Sequence, residues 1–195
     1  MQFLSSGYIK LSSFSSGNWV NDFDVVLNYL RYSKGLIIDI RNNPGGIVQI
    51  VEYFAGRFIS KEMKYMPHYS KIYSIKIPPI EPRGPFTYSN PVAVIINGAS
   101  FSGAEHFAEV MKQLPNVTVI GDTTGGGGGS ADYTFTTPDG ILIQISSSDW
   151  RRYDNVPIEW NGISPGITVL QTKEEVDSGH DLQLERAINI LEGKK

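Results

Sequence analysis

Ser102 carries the hydroxyl best placed for chemistry in this chain. It lies in Asn97-Gly-Ala-Ser-Phe-Ser-Gly-Ala-Glu105, after the apolar run Pro91-Val-Ala-Val-Ile-Ile96 and before the helix-like His106-Phe-Ala-Glu-Val-Met-Lys112. A buried strand that ends in small residues, turns and feeds a helix leaves a hydroxyl close to unpaired backbone N–H groups. That setting suits a nucleophile with its oxyanion hole. It also suits a helix N-cap, because Ser102 and Glu105 have the spacing of a capping box. His106, four residues beyond Ser102, is one helical turn away and within reach as a base, although a histidine there is more often a surface or capping residue.

Two other segments are rich in glycine. Arg41-Asn-Asn-Pro-Gly-Gly46 follows the apolar strand Leu36-Ile-Ile-Asp-Ile40. Ligands of α/β folds gather at that end of a strand, and bare amides before a helix suit a partial negative charge. The plain alternative is a tight turn that needs glycine at positive φ. Arg41 reads as a residue that holds this loop. Gly121-Asp-Thr-Thr-Gly-Gly-Gly-Gly-Gly-Ser130 lacks the Lys-Ser/Thr of a phosphate loop, and no helix pattern follows it as a dinucleotide site requires. Its glycines permit close approach of backbone to a ligand, or a loose loop. The three histidines, His68, His106 and His180, are scattered without metal-ligand spacing, so no metal site and no cofactor is expected. Trp150, Tyr153 and Trp160 read as core cover or as cleft lining.

The elements that must position these groups follow from periodicity. Tyr8 to Ser12 alternates as a strand; Ser12 to Asn18 is a loop. Phe23, Val26, Leu27 and Leu30 give residues 19–32 one apolar helical face. A strand at 36–40, a turn, and a helix at 47–58 come next. A Pro-rich excursion over 60–90 carries up to two short strands. The pattern resumes with a strand at 92–96, a helix at 102–113 and a strand at 117–120. A hairpin closes around Thr137-Pro-Asp-Gly140, residues 149–165 form a loop, and Leu184, Ala187, Ile188 and Leu191 mark a terminal helix. This order implies βαβ units and a parallel sheet.

Bulk composition narrows the function. The chain has 195 residues, 41% hydrophobic residues and a net charge of −3 with its basic residues dispersed. That fits one domain and disfavours nucleic acid or anionic lipid as partner. Without cysteine there is no disulfide, thiolate catalysis or zinc–cysteine site. No apolar run is long enough to span a membrane, and no signal peptide is visible.

Taken in order, these segments resemble the tricorn and carboxy-terminal-processing family of serine peptidases. The resemblance runs from Gly7 to about Leu191. It is carried by Gly-Tyr-Ile-Lys at 7–10, Asp-Ile-Arg-Asn-Asn-Pro-Gly-Gly at 39–46, the stretch at 97–105 and Gly-Asp-Thr-Thr-Gly-Gly at 121–126. Asn-Gly-Ile-Ser-Pro-Gly-Ile at 161–167 is similar to the family's closing element. The resemblance implies an α/β fold with a crotonase/ClpP-like core, a mostly parallel twisted sheet and an added β-hairpin. It implies Ser102 as nucleophile, Ser100 as the neighbouring alternative, and the N–H groups of Gly45 and Gly103 as oxyanion donors.

In the processing branch a lysine of the Gly-rich loop is the base; here that position is Gly127, and the loop has no lysine. The loop looks instead like the tricorn branch, in which a Ser-His pair upstream of the Gly-Tyr-Ile strand and a glutamate near the closing motif complete the site. Glu159 matches that glutamate. The Ser-His positions fall at or before Met1, so residues 1–195 are expected to be one catalytic domain lacking an upstream region that holds the base. The resemblance further implies an extended, partly apolar peptide or protein substrate and a bacterial, extracytoplasmic setting. The competing expectations are a non-catalytic domain binding peptide or an apolar ligand on the same fold and, last, an acyl-CoA enzyme, for which no acidic catalytic motif or adenine pocket is present.

Overall fold

The strands at the centre of the chain are apolar on both faces, which a sheet tolerates only when helices cover both. In the computed structural model, which describes residues 6–15, 19–70, 76–130 and 133–194, they form such a sheet. Strands β1 (Gly7–Lys10), β2 (Leu36–Asp39), β4 (Val92–Ile96), β5 (Val117–Gly121) and β9 (Ile167–Thr168) lie side by side in the order β1-β2-β4-β5-β9. Every neighbouring pair is parallel. The alternation is strict. Ile38, Ile40, Val94, Ile96 and Val119 face the larger core; Ile37, Ala93, Ile95 and Ile120 face the smaller one.

Helices α1 (Trp19–Tyr29), α2 (Val48–Ala55) and α3 (Gly103–Lys112) cover the first face. Their contact is aromatic, with Phe23 stacked on Phe54 at 4.2 Å and Phe14 wedged between Phe54 and Phe107. Helix α5 (Leu182–Leu191) covers the second face through Ala187, with Leu184 and Leu191 beside it. Burial of each such aliphatic side chain contributes about 1.5–3 kcal/mol, so the sheet centre is the firmest part of the molecule.

The excursion carries one strand, β3 (His68–Ser70), and an isolated bridge between Met63 and Ile80. Strand β3 pairs antiparallel with β8 (Ser148–Trp150), which cuts into the stretch expected as loop from residue 149. The expected hairpin is present as β6 (Tyr133–Thr136) and β7 (Leu142–Ile145). Helix α4 (Lys173–Asp177) was not foreseen. Its signal was there: Thr172 caps the Glu175 amide at 3.2 Å and Glu175 returns the bond, a Thr-x-x-Glu capping box. Residues 16–18 of the expected loop and 71–75 of the excursion lie outside the described residues.

Candidate active site

All the long strands end on one edge of the sheet, and the turn motifs meet there through hydrogen bonds. At the end of β2, burial would raise the Asp39 carboxyl. The hydrogen bonds from Arg41 and Tyr8 outweigh it and hold the group below the usual carboxylate range. Tyr8 donates to Asp39 at 2.8 Å, and burial together with that bond pushes its hydroxyl up to about 12. Arg41 forks onto both Asp39 oxygens and onto both oxygens of Asp181 at the start of α5. The arginine is thus a clasp between the turn and the terminal helix, consistent with a loop-holding role.

Asn43, fully buried, governs the next step. Its amide donates to the Leu11 carbonyl at 2.8 Å, and its carbonyl oxygen accepts from the Gly45 N–H at 2.8 Å. The Asn43 backbone carbonyl accepts from the Phe101 N–H at 2.9 Å. The two turns are therefore joined. Gly45 has φ +94, and a Cβ on it would lie 2.6 Å from the Gly103 nitrogen and 2.9 Å from the Ser102 Cβ. No other residue type can stand there.

Ser102 is half-buried, with φ 51 and ψ −117, immediately before α3. A non-glycine residue in this region is strained and persists only where its surroundings fix it. Ser102 and Glu105 have the reciprocal arrangement of the expected capping box, although the hydroxyl half of it falls short of a hydrogen bond. Glu105 accepts from the Ser102 N–H at 2.8 Å, but the Ser102 hydroxyl forms no side-chain cap bond. Its oxygen is left at the mouth of the helix. The Gly103 N–H has no partner among the described residues. The Gly45 N–H does have one, Asn43, so this structure does not offer it as a spare donor. The amide of Gly46 is the unpaired one in that turn among the described residues, and it lies beside Gly103.

Ser100 is fully buried and donates to the Ile40 carbonyl at 2.9 Å, so it links two strand ends and is withdrawn from the surface. His106 also turns inward. It is 4% exposed, shares a 3.1 Å hydrogen bond with the Tyr65 hydroxyl, and packs on Trp150. Burial, aided by the nearby His68, lowers its pKa to about 3. It is a core residue and cannot serve Ser102. The folded value lies below the unfolded one, near 6.5. Stability is therefore complete above pH 6.5 and falls as the pH drops from there towards 3, by about 1.4 kcal/mol per pH unit. Urea unfolding between pH 7 and pH 5 should show that slope in the parent, and a His106→Phe variant should flatten it.

The residue that sequence reading undervalued is Glu105. Its buried carboxylate accepts from the Ser102 N–H, the Gly126 N–H and the Gly127 N–H, each at 2.8 Å, and from the Thr124 hydroxyl at 2.6 Å. Thr124 in turn accepts from the Ile163 N–H of the closing motif at 2.7 Å. One carboxylate thereby ties the serine turn, the Gly-rich loop and the closing motif together. The loop is accordingly fixed. Gly125 donates to the Ser100 carbonyl, Gly126 accepts from Trp160, and a Cβ on Gly127 would strike the Phe101 ring at 2.1 Å.

Glu159 is exposed at the rim of a small cleft of about 230 Å³ that Phe101, Gly127, Gly129 and Ser146 also line. Ser102 is not in the wall of that cleft. It is also absent from a larger one of about 570 Å³ around Arg41, Asn97, Asp122 and Asp181. Of the anticipated aromatics, Trp150 is core and Tyr153 packs against it, but Trp160 is 92% exposed.

A parallel α/β sheet ending in a strained serine turn, with a glycine turn packed on it and unpaired amides beside it, has the layout of a serine-hydrolase core. The model of peptidase family S41 matches residues 5–169, and the chain belongs to that family. It is 30% identical to a carboxy-terminal processing protease, CtpB, of Bacillus subtilis, over 95% of this chain and 38% of that protein. It is 28% identical to tricorn protease homolog 1 of Streptomyces coelicolor, over 94% of this chain and 16% of that protein. The solved photosystem II D1 C-terminal processing protease superposes with a TM-score of 0.72 at 21% identity, over 84% of this chain and 42% of that one, a likeness of fold. The chain thus spans less than half the length of these proteins. Among the described residues, no helix is long and apolar enough to cross a membrane.

Proposed function

We propose that this chain is the Ser102-bearing part of a serine endopeptidase that cleaves extended peptide or protein substrates through an acyl-enzyme. The observation that carries this reading is the Ser102 turn itself. Its hydroxyl stands at a strained strand-to-helix turn, makes no hydrogen bond of its own to the helix, and adjoins the amides of Gly103 and Gly46, which are unpaired among the described residues. The Ser102 oxygen attacks the scissile carbonyl, and the Gly103 N–H is the first donor to the oxyanion. The Gly45-Gly46 turn supplies the second; the Asn43 bond to Gly45 favours the Gly46 N–H for that part. A positioned donor of this kind contributes about 3–4 kcal/mol to the barrier.

The proton acceptor is assigned to a group outside the described residues, since none of their histidines or lysines hydrogen-bonds Ser102. Glu159, a carboxylate at the cleft rim, is assigned the role of orienting that base. The relatives' names and organisms, carboxy-terminal processing proteases of bacteria, support a bacterial processing role, and an extracytoplasmic setting is part of this proposal. In the full gene product, Ser102→Ala should lower kcat/KM for peptide hydrolysis by at least about 10³-fold while peptide binding persists. Unchanged turnover would remove the assignment, and binding without turnover in the parent would make this a binding domain.

A further inference from the structure

Trp160 makes no side-chain contribution to the Ser102 site described above. Its indole is 92% exposed, whereas Trp150 is packed in the core. Its backbone has φ +64, a region that glycine and asparagine enter readily and bulky residues avoid. Asn161, which would tolerate that conformation, is the very next residue. The turn is held all the same. Trp160 donates to the Gly126 carbonyl at 3.0 Å, and Asn161 and Gly162 donate to the Ile158 carbonyl at 3.0 and 2.8 Å. A strained backbone that presents a large apolar ring to water stabilises nothing visible in the fold, which points to use of the ring.

Its location says what for. Gly126 touches the Trp160 backbone so closely that a Cβ would lie 3.1 Å from its nitrogen, Cα and carbonyl carbon. The Gly126 N–H is bound to one oxygen of Glu105, and the Ser102 N–H is bound to the other. On the opposite flank of the same loop, the Phe101 ring lies under Gly125 and Gly127 and is itself 45% exposed. The glycine loop is thus held between the Phe101 ring on one side and the Trp160 backbone on the other, and both residues carry exposed rings on segments tied to the Ser102 turn. We infer that Trp160, with Phe101, is a substrate-recognition residue that grips apolar side chains of an extended peptide lying across the Gly125–Gly127 loop.

An extended chain presents alternate side chains to one face, so two exposed rings on separate segments offer it two points of contact. The occupant is a peptide because Phe101 adjoins Ser102 and the Trp160 turn is tied to it through Gly126 and Glu105, and in this the inference rests on the peptidase reading. A Trp anchor of this kind changes affinity by about tenfold or more.

The test is fluorescence anisotropy with the Ser102→Ala chain and dye-labelled ten-residue peptides. One series carries Leu or Phe at alternate positions and the other carries Ser or Gln. The parent should prefer the apolar series. Trp160→Ala should weaken that series by about tenfold or more, leave the polar series unchanged and keep the melting temperature of the parent; Trp160→Phe should retain most of the affinity. The inference is overturned if Trp160→Ala binds the apolar series as well as the parent does, or if both series weaken equally. It is also overturned if the parent shows no preference, or if sedimentation equilibrium finds Trp160-dependent self-association with no peptide bound. Fluorophosphonate labelling of chains with Ser102 intact separates the two readings. Lost labelling with Trp160-dependent binding retained would sink the peptidase and keep the recognition site.

Discussion

Glu105→Gln is expected to destabilise the protein by about 2–4 kcal/mol and to suppress reaction of Ser102 with a serine-directed reagent. The side chain keeps its size, so no cavity forms. What changes is the hydrogen-bonding sense. The carboxylate accepts from four donors, two on each oxygen. An amide presents NH₂ on one side, where it meets a backbone N–H and either Thr124 or a second N–H. A buried donor left facing a donor costs about 1–3 kcal/mol. The Thr124 hydroxyl offers little relief, because turning to accept from the amide would leave its own proton without the Glu105 acceptor it has now. Urea unfolding measures the stability change, and the labelling rate reports on the turn. A loss below about 1 kcal/mol with labelling intact would mean that Glu105 does not hold the loop to the serine.

Asp24→Ala is expected to cost about 3–5 kcal/mol, for a different reason. Arg57 is fully buried, with Asp24 as its ion-pair partner, and Asp24 also accepts from Tyr53 at 2.7 Å. The Arg57 Nε and Nη2 atoms have no hydrogen-bond partner among the described residues. The guanidinium lies instead against Gly84, where a Cβ would stand 2.2 Å from its Cζ, and 4.9 Å from the Phe86 ring centre. Removing the aspartate strands a charge that water cannot reach. Replacing both residues, as Asp24→Leu with Arg57→Met, removes charge and partner together and should recover most of the loss. A double variant as unstable as the single one would show that packing of the arginine, not its charge, is what matters.

Those two carboxylates mark the boundary of what local sequence can tell. The strand–turn–helix units around Gly45 and Ser102 were legible because apolar runs, glycine punctuation and helical spacing all agree there. The hairpin was legible from Thr137-Pro-Asp-Gly140, whose Thr137 and Gly140 do close the turn at 2.9 Å. Glu105 was visible only as half of a capping box, since its other partners lie about twenty residues downstream and leave no periodic trace. The five glycines after Thr124 could not be told from a loose loop. Their order comes from Glu105, Ser100 and Trp160, none of them a neighbour in sequence. His106 reads as a surface or capping residue but is core, because α3 is buried on every side from Gly103 to Met111 and helical spacing from Ser102 carries no information about which way the ring faces. Trp160 looked like core cover because a large aromatic usually is.

The central claim is that the Ser102 oxygen is the attacking atom. The most direct measurement is mass-spectrometric mapping of the fluorophosphonate adduct on the full gene product. A single adduct is expected on the peptide containing Ser102, absent from Ser102→Ala. An adduct on another serine, or equal labelling of the Ser102→Ala protein, would contradict it.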